Sequence, residues 1–185
     1  LSGFHGSFAV QKLLTKKHFQ MKIISLTLLL AILSISCKKD VQEEKDTLSR
    51  YTGLSPQTLG ELRHAREATA RYLSLDSALA DGYADISVDV EHMGHHYMKN
   101  AIVDSVFDMQ APEILVYNRD ESGKPYLVAI EYAVPLTFAK PGGFSGNADS
   151  WNGESGFPLW LLHAWVWSYN PEGVFNPTNP LVHLH

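Results

Sequence analysis

The feature that most limits the fold is an apolar run near the start of the chain, at residues 23–33, directly after Met21 and Lys22. A positive start followed by an apolar stretch of about this length is typical of an export signal, and the run is short for a membrane span. We therefore predict that residues 21–36 are a signal peptide and contribute nothing to the folded domain. Residues 1–20 are predicted to precede the true start at Met21.

The residues after this run, Ser34-Ile35-Ser36-Cys37, resemble the lipobox of bacterial lipoproteins. Ser34 departs from the usual pattern, in which Leu or a similar residue is common. The resemblance implies that Cys37 is lipidated and becomes the new N-terminus. The protein would then be anchored to a membrane through this lipid, in the cell envelope and exposed outside the cytoplasm. The alternative is an ordinary cleaved signal peptide in which Cys37 has no role.

Cys37 is the only cysteine, so no disulfide is expected in the mature protein. The charged run at residues 38–46 cannot form a core, and residues 37–50 are predicted to be a tether. Residues 51–185 are long enough for a single globular domain. From Cys37 onward there are eleven basic and twenty acidic residues. This negative charge repels phosphate backbones, so nucleic acid is excluded as a partner.

The domain is predicted to begin with helices and to continue with strands. Ser55 and Pro56 are a typical N-cap and first helical residue, and a second short helix is expected at residues 76–80, ended by Gly82. Alternation of apolar and polar residues predicts a strand at residues 86–90. Further predicted elements are a hairpin at 114–117 and 126–134, a long loop at 138–158 and a last strand at 159–167.

This order of elements predicts an α+β fold, with one or more N-terminal helices followed by a mainly antiparallel β-sheet. Both a barrel and a sandwich remain open. The segments at residues 93–97, 128–132, 163–167 and 170–175 also resemble a family of secreted bacterial proteins of uncharacterised activity. The similarity covers residues 68–180. It implies a shared domain and supplies no activity.

Three ionisable side chains in strand-like segments are the candidate site. Glu131 is the one carboxylate in a mostly apolar run and is expected to share a face with Leu127, Ala129 and Ala133. A carboxylate facing a core is costly unless it is paired, protonated or bound to a metal. His163 is likewise expected to share a face with Leu161, Trp165 and Trp167.

We therefore predict one divalent metal, which could be zinc, iron or manganese, bound by His96, Glu131 and His163, with His95 as a substitute for His96. Such a site would suit a metal-dependent enzyme. The alternative is that both histidines are hydrogen-bonded core residues and that Glu131 pairs with an arginine such as Arg71.

A second hypothesis places a small-molecule ligand in an aromatic pocket formed by Trp160, Trp165 and Trp167. These residues could equally belong to the core. The chain could thus be a non-catalytic ligand-binding lipoprotein or a structural component of the envelope, and the sequence leaves these classes open beside the enzyme.

Overall fold

The computed structural model describes residues 46–185, so the predicted signal peptide, Cys37 and most of the predicted tether lie outside the described residues. The fold begins earlier than the predicted boundary at Tyr51. A 3₁₀-helix covers Thr47–Arg50, and Leu48 within it is completely buried. A buried leucine cannot belong to a solvated tether. Among residues 46–185, no helix is both long enough and apolar enough to cross a membrane.

Two α-helices precede the sheet, as the sequence predicted. Helix α1 covers Pro56–Thr69, and its N-cap Ser55 accepts a hydrogen bond from the backbone N–H of Thr58 at 3.0 Å. A 3₁₀-helix at Ala70–Leu73 leads into helix α2 at Leu75–Ala80. Gly82, with a φ of +96°, turns the chain away from α2 in a conformation that glycine adopts readily.

Five strands form one antiparallel sheet in which neighbours along the chain are neighbours in space. They are β1 (Ala84–Val90), β2 (Gly94–Met98), β3 (Ile114–Arg119), β4 (Pro125–Pro135) and β5 (Leu159–Ala164). The predicted α+β class is therefore confirmed. The sheet is not closed into a barrel, because β1 and β5 are its two edges, and residues 46–185 supply no second sheet for a sandwich. A 3₁₀-helix at Asn100–Ile102 follows β2.

The two faces of the sheet have different coverings. On the helix-side face, Leu62 and Ala65 of α1 belong to the same buried cluster as Leu115, Ile130 and Leu162 of the strands. On the opposite face, a second cluster contains Met98, Ile114, Val116, Ala129, Ala133 and Trp165, together with Val182 from near the C-terminus. We call this opposite face the cavity-side face.

A β-bulge in β4 decides which residues reach each face. Val116 is paired with Ala129 and Tyr117 with Leu127, so Val128 is an extra residue in β4. The alternation of faces is interrupted there, and Leu127 belongs to the helix-side cluster. The prediction that Leu127 shares a face with Glu131 is therefore wrong, because it assumed an unbroken period of two.

The long segment between β4 and β5 has little regular structure but is held at two places. The carboxylate of Glu61 in α1 accepts hydrogen bonds from the backbone N–H of Ser145 at 2.7 Å and from its hydroxyl at 2.5 Å. Asn152 forms an antiparallel bridge with Leu161, with backbone hydrogen bonds of 2.8 and 2.9 Å. The predicted loop is thus attached to α1 and lies beside β5.

Candidate functional site

A cavity of about 340 Å³ lies on the cavity-side face of the sheet. Each of the five strands contributes at least one side chain to it, and residues between 150 and 157 and at 175–177 complete the wall. Most of the lining is apolar. The ionisable residues that line it are His96, Glu131 and His163.

The structure thus brings together the three residues that the sequence predicted as metal ligands. His96 lies on β2, Glu131 on β4 and His163 on β5, and Glu131 and His163 are register partners on adjacent strands. Their residues are 3%, 4% and 3% exposed, respectively. The Nε2 atom of His96 lies 3.9 Å from Oε2 of Glu131, and Nδ1 of His163 lies 3.7 Å from Oε1 of the same carboxylate.

His96 is oriented by a backbone hydrogen bond. Its Nδ1 lies 2.7 Å from the carbonyl oxygen of Val88, which can only accept, so the proton is on Nδ1. Nε2 then carries a lone pair on the side of Glu131. Burial lowers the pKa of His96 below its ordinary value, outweighing the opposite influence of Glu131. A neutral imidazole fixed through its other nitrogen is the usual state of a histidine that binds a metal.

Glu131 is a buried carboxylate that stays ionised. Burial acts to raise its pKa, but the neighbouring imidazoles of His163 and then His96 more than offset this, and the pKa is lowered. The side-chain nitrogens of His96 and His163 that face its carboxylate lie 3.9 and 3.7 Å from it, beyond the usual hydrogen-bond distance. Arg71, the partner suggested by the alternative interpretation, forms its ion pair with Asp81 at 3.0 Å instead.

His163 has the least satisfied side chain of the three. Both ring nitrogens are buried, and neither has a hydrogen-bond partner in the part of the chain that the structure describes. The 3.7 Å separation from Glu131 exceeds hydrogen-bond distance. The ring packs against Trp165 with 4.7 Å between centroids. Since a buried polar atom without a partner costs about 1–3 kcal/mol, two such atoms on one ring call for an explanation.

The spacing of the three side chains is somewhat wider than that of a bound metal site. Two atoms that bind one zinc ion at about 2.1 Å lie about 3.4 Å apart in a tetrahedral arrangement. The two histidine–glutamate distances exceed this by a few tenths of an ångström. At least one other pair of candidate ligand atoms is more than 4.8 Å apart, so the side chains would have to move inward by more than an ångström to bind one ion.

Another His/Glu group lies on the surface. Glu91, His92 and His183 are the one such group in residues 46–185 whose ligand atoms all lie within 4.8 Å of one another. Direct contacts explain it without a metal. Nδ1 of His183 lies 3.0 Å from Glu91, and Nδ1 of His92 lies 3.0 Å from the carbonyl oxygen of Val182. These bonds attach the C-terminal segment to the turn between β1 and β2.

His95 does not join the cavity. Its Nδ1 lies 2.7 Å from Asp89 on the neighbouring strand, and its side chain, adjacent to His96, points to the helix-side face. It therefore cannot substitute for His96.

The three predicted pocket tryptophans do not line one pocket. Trp165 belongs to the cavity-side cluster, whereas Trp160 and Trp167 pack against the helix-side cluster. The predicted strand at residues 159–167 is too long, because β5 ends at Ala164. The alternation of faces therefore does not continue to Trp167, which does not share a face with His163. The indole N–H of Trp167 donates to Thr69 at 3.1 Å, and Arg66 lies over its ring.

Much of the cavity wall was not predicted from the sequence. Met93, Phe157 and Phe175 come from connecting segments, where no periodicity marks the buried side. Ile86, Val88 and Val90 did carry a signal, since their spacing of two puts them on one face of β1. Comparisons of the chain with protein-family models, with curated proteins and with solved structures found no match.

Proposed function

We propose that this protein is a lipid-anchored protein of the cell envelope that binds one divalent metal ion through His96, Glu131 and His163. The observation that carries the proposal is His163, a buried imidazole with no hydrogen-bond partner among residues 46–185, beside an ionised carboxylate. A metal ion would use a ring nitrogen of His163, the free Nε2 of His96 and an oxygen of Glu131. It would thereby satisfy groups that are otherwise costly to bury.

The three proposed ligand side chains limit which metals can bind and what a bound metal can do. Two imidazoles and one carboxylate suit zinc, iron or manganese and leave coordination positions for water or a ligand. In such a site the metal would act as a Lewis acid or hold a ligand directly. The apolar walls of the cavity strengthen electrostatic interactions inside it, since they keep bulk water away.

The test is the metal content and thermal stability of the purified protein. We expect about one zinc ion per chain after loading, and less in His96→Ala, Glu131→Gln and His163→Ala. At a free zinc concentration of about 100 times Kd, bound metal stabilises the fold by about 2.7 kcal/mol. A chelator should therefore lower the Tm of the loaded wild type by several degrees and change that of Glu131→Gln little.

Two matched variants control for other sites. His95→Ala removes the neighbouring imidazole on the opposite face, and His183→Ala removes the exposed group with Glu91; both should keep the metal. A wild type that binds no metal and melts identically with and without chelator would contradict the proposal. So would metal that is lost in His183→Ala and kept in His163→Ala.

A second candidate is a non-catalytic binding protein that holds a small apolar ligand without a metal. The mainly apolar lining of the 340 Å³ cavity favours it, since ligand sites of about 300–1,000 Å³ are typically lined by hydrophobic side chains. Ligand-induced rises in Tm that persist in the presence of chelator would favour this function over the metal site.

A further inference from the structure

The walls of the cavity have a consistent chemistry. Branched aliphatic side chains of the two edge strands line it, namely Ile86, Val88 and Val90 on β1 and Leu159 and Leu161 on β5. Met93, Met98, Ile114, Phe157 and Phe175 add further apolar surface. Such a wall stabilises a hydrocarbon group by removing it from water.

The charge of the cavity is confined to one place. Of the described residues, no lysine or arginine lines it, and its other polar residues, Ser150, Asn152 and Ser155, are uncharged. A metal ion is bound by an ionised carboxylate and by neutral imidazoles, because the ligand atoms must be deprotonated. With a divalent ion held by Glu131, His96 and His163, the site would therefore carry a net charge of +1. One monoanionic group completes the neutralisation in a medium that penalises unpaired charge.

We infer that the ligand of this cavity is a small apolar acid. Its carboxylate occupies an open coordination position on the metal, and its hydrocarbon body lies among the side chains of β1 and β5. This inference rests on the proposed metal site. It adds the ligand class, which the donor set alone does not specify.

The test uses zinc-loaded protein and calorimetric titration with octanoate, octan-1-ol and octylammonium. Octanoate should bind at least tenfold more tightly than the alcohol, because only the acid neutralises the site, and the ammonium should bind weakest. Affinity should rise about fourfold for each methylene along the series from butanoate, until the cavity is filled. Chelator should abolish octanoate binding.

A matched pair of leucine variants separates the wall from the metal. Leu161→Ala removes part of the hydrocarbon contact and should weaken octanoate binding about tenfold or more while zinc content is retained. Leu181→Ala makes the same change at an exposed residue that does not line the cavity and should leave the affinity unchanged.

The outcomes distinguish the two proposals. Zinc bound in a one-to-one ratio with equal affinity for octanoate and octan-1-ol, or with acetate bound as tightly as octanoate, would overturn the ligand inference alone. Protein that binds no zinc would overturn the metal site and the ligand inference with it.

Discussion

At the scale of single residues, Glu113 and Glu131 are two buried carboxyls whose pKa values are shifted in opposite directions. Glu113 is 2% exposed, and its Oε2 accepts a hydrogen bond from the backbone N–H of Ala133 at 3.0 Å. Burial raises its pKa to about 7 in the absence of a cationic partner strong enough to offset it. Glu131 has two imidazoles beside it, and its pKa is lowered. Neighbouring groups thus decide which carboxyl is charged near neutral pH.

The raised pKa of Glu113 predicts a specific pH dependence. Its contribution to stability is fully present below the unfolded pKa of about 4.5 and is lost as the pH rises towards about 7. Glu113→Gln should therefore gain free energy of unfolding relative to wild type over this range, by about 3 kcal/mol at most. Urea denaturation at a series of pH values measures the difference.

An exposed glutamate provides the control for this experiment. Glu121→Gln makes the same change at an exposed residue in the turn between β3 and β4, and its difference from wild type at each pH gives the baseline for losing one surface carboxylate. If the Glu113→Gln difference changed no more between pH 4.5 and 7.5 than this baseline, Glu113 would not carry the raised pKa.

The contribution of His96 to stability changes with pH in the opposite direction to that of Glu113, over a neighbouring pH range. Its lowered folded pKa means that the unfolded chain binds the proton more readily. Its contribution to stability is present above about pH 6.5 and is lost as the pH falls from there towards the folded pKa. Acid would also protonate the ligand nitrogens, so any bound metal should be released over the same range.

At the scale of elements, the bulge at Val128 is the feature that fits β4 to both of its neighbours. The backbone carbonyl of Val128 accepts a hydrogen bond from the N–H of Ser168 at 2.9 Å. Beyond the bulge, Ala129 lies in the cavity-side cluster and Glu131 lines the cavity, while Leu127 is retained in the helix-side cluster. The extra residue shifts the alternation of faces within β4, so apolar residues on both sides of the bulge point to the faces where they are buried.

Deletion of Val128 should consequently cost more than its truncation. The deletion leaves Ala129 opposite Val116 and Leu127 opposite Tyr117, so both keep their faces, but it removes the carbonyl that accepts from Ser168 and the local twist of the bulge. Val128→Ala only creates a small cavity. We expect the truncation to cost about 1–3 kcal/mol and the deletion to cost more. Urea denaturation followed by circular dichroism compares them, and equal stabilities would show that the bulge contributes nothing beyond the side chain of Val128.

At the scale of the whole molecule, different segments cover the two faces of the sheet. The helices that pack on the core are therefore not the segments that enclose the candidate site. Helices α1 and α2 pack on one face of the sheet. The other face is covered by the segment before β5 and by residues near the C-terminus, which leave the cavity between them. Loops that cover a sheet face can hold a cavity open without disturbing the strands.

The proposed anchoring is also a property of the whole molecule, and it concerns residues outside 46–185. Wild-type protein should partition into the detergent phase, because several acyl chains on one residue give stable membrane binding. Cys37→Ser should partition into the aqueous phase or keep its signal peptide. Lys39→Ala, a change two residues away, should behave as wild type. Equal partitioning of wild type and Cys37→Ser would refute lipidation.

The sequence by itself determined the element types and the residues of the candidate site. The N-cap at Ser55, the alternation of Ile86, Val88 and Val90, and isolated polar residues in apolar strands are all local signals. They depend on neighbours within a few positions, which is why period and capping suffice to detect them. His96, Glu131 and His163 were chosen in this way and meet in one cavity.

Only the tertiary structure decided how these elements combine. The open sheet, the bulge at Val128, the pairing of Arg71 with Asp81 and the separation of the three tryptophans follow from contacts between distant segments. The sequence also could not predict that the ring nitrogens of His163 have no hydrogen-bond partner among residues 46–185. Whether a buried polar group forms hydrogen bonds depends on every segment packed around it. Local periodicity carries no record of such contacts, since each is made only when strands and loops far apart in the chain are brought together.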